Sequence, residues 1–152
     1  MSTLYERVRG FLDDEGWDVE EEMAEGLFYS AAEAENGTYD VVVAADDENQ
    51  RIGVWAIYPE EIAATRRVAV ALYVTRVNHG LAIGNLELDL DAGIVRCKAS
   101  IDTEDLEITA TAFANLVAAA VELLDVYVPG LRDVIGGADP HEAAKAADAS
   151  DG

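Results

Sequence analysis

The chain has little of several things. Its 152 residues include one cysteine, three prolines, two histidines and only ten basic side chains. A single cysteine, Cys97, forbids an internal disulfide and fits a reducing compartment. The two histidines, His79 and His141, have no cysteine or second histidine at ligand spacing, so the pattern excludes a zinc site. Eight arginines and two lysines face 31 acids, for a net charge of −21. Direct binding to DNA or RNA draws its affinity from neutralised phosphates, and this balance argues against it. Anionic membranes are disfavoured for the same reason. Charges interrupt every apolar run before it reaches membrane-spanning length. The first residues, Met1 to Arg7, lack a basic stretch followed by an apolar one, so a secretory signal is not expected. Together these absences predict a cytoplasmic protein.

Half of the residues are hydrophobic, 51%, which excludes wholesale disorder. The length suits one domain with a core of its own. The acidity is of the kind expected of a halophile's protein, in which hydrated acids keep the chain in solution and salt screens their repulsion.

The segment Val77 to Ile101 is the most informative. Leu86, Leu88 and Leu90 alternate with Glu87, Asp89 and Asp91, a period of two that sends leucines to one sheet face and acids to the other. Asp91-Ala92-Gly93 makes a short connection in which Gly93 is free to take positive φ. Val95, Cys97, Ala99 and Ile101 then alternate with Arg96, Lys98 and Ser100. The acidic and basic strand faces lie side by side, and each opposite-charge pair helps set register by roughly 0.2–1 kcal/mol.

Around this hairpin the pattern predicts a first helix from Thr3 to about Asp14, capped by Ser2 or Thr3. An acidic connector follows, anchored by Trp17 and Met23. Three strands come next: Leu27 to Glu35, Tyr39 to Ala45 and Arg51 to Tyr58. Asn36-Gly37 is read as a type I′ turn between the first two. Pro59-Glu60-Glu61 opens a second helix that continues to about Asn78. Thr109 caps a third helix to Val128, with a last turn from Leu131 to Ile135. From Ala138 the sequence predicts a flexible, acidic, Ala-rich tail. The order is α-β-β-β-α-β-β-α, an α+β fold with an antiparallel sheet packed by helices, in one domain spanning 1–137 with a tail over 138–152.

Chemistry is hard to find. On a strand, Arg96 and Lys98 point away from Cys97, so this thiol reads as a small buried hydrophobe. Asp89 to Gly93 lacks the third ligand of a calcium loop. Gly80, Gly84, Gly136 and Gly137 precede no Gly-Lys-Ser/Thr, so no phosphate loop forms. Acids are so common that no pair stands out as an acid/base couple. No catalytic, cofactor or metal residue is assigned.

The surplus is apolar. The second and third helices carry more hydrophobic surface than a one-sided helix needs. Val70, Tyr73 and Val74 on the second, and Val121, Leu123 and Val126 on the third, are the candidate partner or dimer surface.

Several of these segments resemble the YbjN family. Phe11 to Trp17 looks like its first-helix exit, Val74 to Asn78 with Gly84 to Asp89 like its helix-to-strand junction, and Tyr127 to Leu131 like its last-helix ending. The match runs from about Thr3 to Gly137. The resemblance implies the fold of type III secretion chaperones, a homodimer, and a non-enzymatic, chaperone-like or regulatory protein that binds a partner protein. The alternatives are an enzyme with an unrecognised carboxylate-based site, or a regulator acting through a DNA-binding partner.

Overall fold

A computed structural model describes residues 2–151, with side chains described up to residue 148. The first helix, α1 (Leu4–Asp14), starts where Thr3 caps it. The Thr3 hydroxyl accepts from the Glu6 N–H and the Glu6 carboxylate accepts from the Thr3 N–H, satisfying two orphan donors. Asp47, in a distant turn, accepts from the N–H groups of Leu4 and Tyr5. Leu4, Tyr5, Val8 and Leu12 form the buried stripe.

Six strands follow in one antiparallel sheet: β1 (Glu20–Glu22), β2 (Leu27–Glu33), β3 (Thr38–Asp46), β4 (Arg51–Ile57), β5 (Asn85–Asp89) and β6 (Ile94–Asp102). Their spatial order is β1-β2-β3-β4-β6-β5. The alternation carries across the sheet. Phe28 lies opposite Val43, Val43 opposite Val54 and Val54 opposite Ala99, and all four side chains are buried on the same face. That face carries α1, α2 (Arg67–Asn78) and α3 (Ala110–Ile135), which close a single hydrophobic core. On the other face, Val42, Ala44 and Trp55 are only half-buried. Trp55 lies there, its ring across Gly53, where a Cβ would sit 2.5 Å from the indole edge.

The second hairpin follows the sequence reading closely. Glu87 lies opposite Arg96 in the register, bonds it at 2.7 Å and reaches Lys98 at 3.0 Å. Gly93 has φ 72°, and its N–H bonds the Asp89 carbonyl at 2.7 Å.

Several expectations are corrected. Glu20–Glu22 forms an extra edge strand where an acidic connector was expected; its register comes from backbone bonding to β2, which composition does not reveal. Met23 is exposed and anchors nothing, whereas Trp17 packs on the core. The link between β2 and β3 is not a type I′ turn, since neither Asn36 nor Gly37 has positive φ. Asn36 is engaged elsewhere, as described below. The second helix begins at Arg67, not at Pro59. Ile62 instead enters the core, with its N–H bonded to the Gly93 carbonyl, and a 3-10 turn at Ala64–Arg66 precedes the helix.

The third helix runs unbroken through Pro129. By length and composition it could cross a membrane, contrary to the sequence expectation, yet its buried stripe from Phe113 to Val134 packs into the core. Finally, residues expected to form a mobile tail are a helix, α4 (Pro140–Asp151), whose Ala143, Ala144 and Ala147 are buried against α2 and α3. Small side chains let the helices approach closely, a pattern that composition alone reads as low complexity.

Candidate partner-binding surface

The structure separates the six candidate surface residues into two groups. Val70, Tyr73 and Val74 are buried in α2, so they serve the core and are not surface. Tyr73 also donates to the Tyr127 carbonyl at 2.8 Å, tying α2 to α3. Val121, Leu123 and Val126 are half-buried and pack on the core, Leu123 toward Gly84. Much of the apolar surplus read in α2 and α3 is covered by the alanines of α4.

The large exposed apolar side chains lie elsewhere. Among the described residues these are Met23, Tyr29, Val68, Leu72, Ile83, Leu90, Ile94 and Leu106. Five of the eight fall between residues 68 and 94, so exposure concentrates on α2 and the β5–β6 hairpin. Val68 is 72% exposed and Leu72 44%. Their i, i+4 spacing places them one above the other on the solvent face of α2. The sequence showed α2 as over-apolar, but which face meets water depends on the elements packed against the helix.

This surface is firmly held. The Arg67 guanidinium donates to the carbonyls of Ile62, Leu90 and Asp91, joining the start of α2 to the hairpin tip. Asn78, at the end of α2, donates to the Leu86 carbonyl at 2.9 Å and accepts from the Leu86 N–H at 2.8 Å. One side-chain amide thus occupies outward backbone groups of edge strand β5, which limits strand addition there.

A second cluster is polar and buried. Asp125 of α3 accepts from Tyr39 Oη at 2.6 Å and from the Asn36 N–H at 2.9 Å. Burial, reinforced by the Asp125 bond, pushes the Tyr39 phenol well above its usual range. Pro129 has no N–H for the Asp125 carbonyl four residues before it, and Asn36 Nδ2 donates to that carbonyl at 3.0 Å instead. Asn36 therefore serves α3 and not a tight turn. The cluster is fully engaged internally, which makes it a structural tie.

Cys97 is also structural. It is fully buried, and burial pushes its thiol up to about 12, so little thiolate forms near neutrality. His79 stands at the C-terminal cap of α2, exposed, as its sequence position predicts. Among the described residues no group of three His, Cys, Asp or Glu side chains is placed to hold a metal.

Helices against a six-stranded antiparallel sheet define an α+β fold, shared with the solved structures compared below. The model of the YbjN family, described as "Putative bacterial sensory transduction regulator", matches residues 4–133, and the chain belongs to that family. Among solved structures it is similar to YbjN from E. coli, with TM-score 0.60 and 18% identity over 93% of this chain and 97% of that one. It is also similar to a chain of the ExsC-ExsE complex, with TM-score 0.54 and 14% identity over 83% of this chain and 94% of that one. A chain of the HopA1-SchA chaperone-effector complex aligns with TM-score 0.49 and 18% identity over 80% and 91%. At these identities the likeness is one of fold. Comparison with curated proteins gave no match. The α4 helix lies beyond the residues the family model matches.

Proposed function

We propose that the chain is a non-enzymatic, chaperone-like or regulatory protein of the cytoplasm that binds a partner protein and acts as a homodimer. The observation that carries this reading is the exposed Val68–Leu72 stripe on α2. Exposed apolar side chains grouped on a rigid element are what a protein partner buries. YbjN-family membership and the chaperone-like fold support the same reading. Val68 and Leu72 take over the role first given to Val70, Tyr73 and Val74.

Sedimentation of the chain at micromolar concentration tests the dimer. The wild type is expected to sediment as a dimer, and Val68→Asp with Leu72→Asp as a monomer. Both residues are exposed in the isolated chain, so the double variant should keep its unfolding free energy to within about 0.5 kcal/mol per site. A wild type that stays monomeric refutes the dimer, and a variant that stays dimeric shows that Val68 and Leu72 do not form its interface.

The charge carries a second proposal, halophilic adaptation. Six ion pairs engage only a few of the 31 acids among the described residues, so most repulsion is left to solvent and salt. At about 1 M salt the Debye length is about 3 Å, short enough to separate most surface acids electrostatically. If screening relieves about 2–3 kcal/mol, the melting temperature should rise by about 5–10 °C between low and molar KCl. Melting curves that do not move with KCl rule this out.

A further inference from the structure

The surface of α2 carries a second feature, at its other end. Thr75, Arg76 and His79 on α2 face Ala144, Lys145 and Asp148 on α4 across an open cleft of about 540 Å³. In a chain with 31 acids, a basic side chain ordinarily finds a carboxylate. Nine of the ten do find a partner of some kind among the described residues. Arg9, Arg51, Arg67, Arg96, Lys98 and Lys145 form ion pairs. Arg7 and Arg66 donate to backbone carbonyls, and Arg132 lies over the Tyr58 ring. Arg76 has none of these among the described residues. It stands in the cleft together with His79 and Lys145.

We propose that this α2–α4 cleft is a binding site for a phosphate monoester. An arginine fork, an imidazole N–H and the Thr75 hydroxyl line the cleft from the α2 side, and a lysine ammonium lines it from α4. That arrangement suits a tetrahedral oxyanion better than a flat carboxylate. Lys145 already shares a weak, exposed pair with Glu142 at 3.5 Å, which a dianion can displace. The cleft is larger than phosphate alone requires, leaving room for the organic part of an ester. Asp148 is the one carboxylate lining it, and it is held by the Tyr127 hydroxyl at 3.3 Å. The overall charge of −21 repels an incoming anion at low salt. At about 1 M salt that long-range field is screened, while bonds made at contact distance persist.

The site can be read directly, whatever the oligomeric state. Inorganic phosphate and glucose 6-phosphate are titrated at constant ionic strength, with chloride and acetate as controls. Nitrogen-15 spectra follow the Arg76 Nε and His79 ring signals. Saturable shifts at both residues with the two phosphates, and not with the controls, are expected. Arg76→Gln should weaken binding by about tenfold, and Asp148→Asn should strengthen it by about threefold, because one removes a charge-assisted donor and the other a repelling carboxylate. Both residues are exposed, so the fold tolerates the changes. Shifts that grow linearly and equally with chloride overturn the proposal. So does an affinity unchanged in Arg76→Gln.

Discussion

Replacing Asp125 with alanine is expected to destabilise the protein by about 3–5 kcal/mol. Two donors lose their acceptor together: Tyr39 Oη, on a fully buried ring, and the Asn36 N–H. An unsatisfied buried polar group costs roughly 1–3 kcal/mol, and two of them set the range. The methyl group recovers little, since the space it leaves is lined by polar atoms. Asp125→Asn should cost less, about 1–2 kcal/mol. Its carbonyl oxygen can still accept from the tyrosine, while its amide hydrogens find no ready acceptor. Urea titration measures both. The midpoint should fall with the slope unchanged, because the folded structure is the same. A loss below about 1 kcal/mol for the alanine variant would show that water reaches the site and replaces the carboxylate.

The second large effect is at Gly130. A Cβ there would collide with Tyr73 Oη and stand 3.0 Å from Cζ of a ring that is itself fully buried. Helix propensity favours alanine over glycine by about 1 kcal/mol, so a residue with no other role at this position would be stabilised by the change. Here overpacking costs about 1–3 kcal/mol, and displacing the tyrosine threatens its bond to the Tyr127 carbonyl for about 1 kcal/mol more. Gly130→Ala should therefore lose about 1–3 kcal/mol net. Tyr73→Phe removes the colliding oxygen. The double variant should consequently be more stable than the sum of the two single changes predicts, a coupling read from a double-mutant cycle. Strict additivity would place the strain elsewhere.

Much of the fold is legible in the chain because its strands alternate and its helices are capped. The β5–β6 hairpin could be read down to its side-by-side acidic and basic strand faces. So could the Thr3 and Thr109 caps, since short-range patterns encode them. The misreadings share a cause: a local signal was overruled by a distant partner. Asn36-Gly37 looks like a turn, but Asn36 is claimed by α3. Pro59 looks like a helix start, but Ile62 is needed in the core and holds the backbone extended. Pro129 looks like a helix end, yet the helix passes through it. The alanines after residue 138 look like a tail, yet their small size is what lets α4 lie against α2 and α3.

The candidate surface was half legible for a related reason. Excess apolar residues on α2 and α3 were evident. Which of those residues face water depends on the sheet beneath and on α4 above. Val70, Tyr73 and Val74 went inward, and Val68 and Leu72 outward. The cleft that receives Arg76 could not be seen from sequence, because its far wall is α4.

The bond between Asn36 and the Asp125 carbonyl also bears on how the molecule opens. A helix with an internal proline has a weak link in its own ladder, and here that link is closed by a residue from the β2–β3 hairpin. Neither segment can loosen there without unmaking the other's hydrogen bond. The distal half of α3 and the hairpin consequently form one cooperative unit, exchanging their protected amides together although about ninety residues of chain separate them.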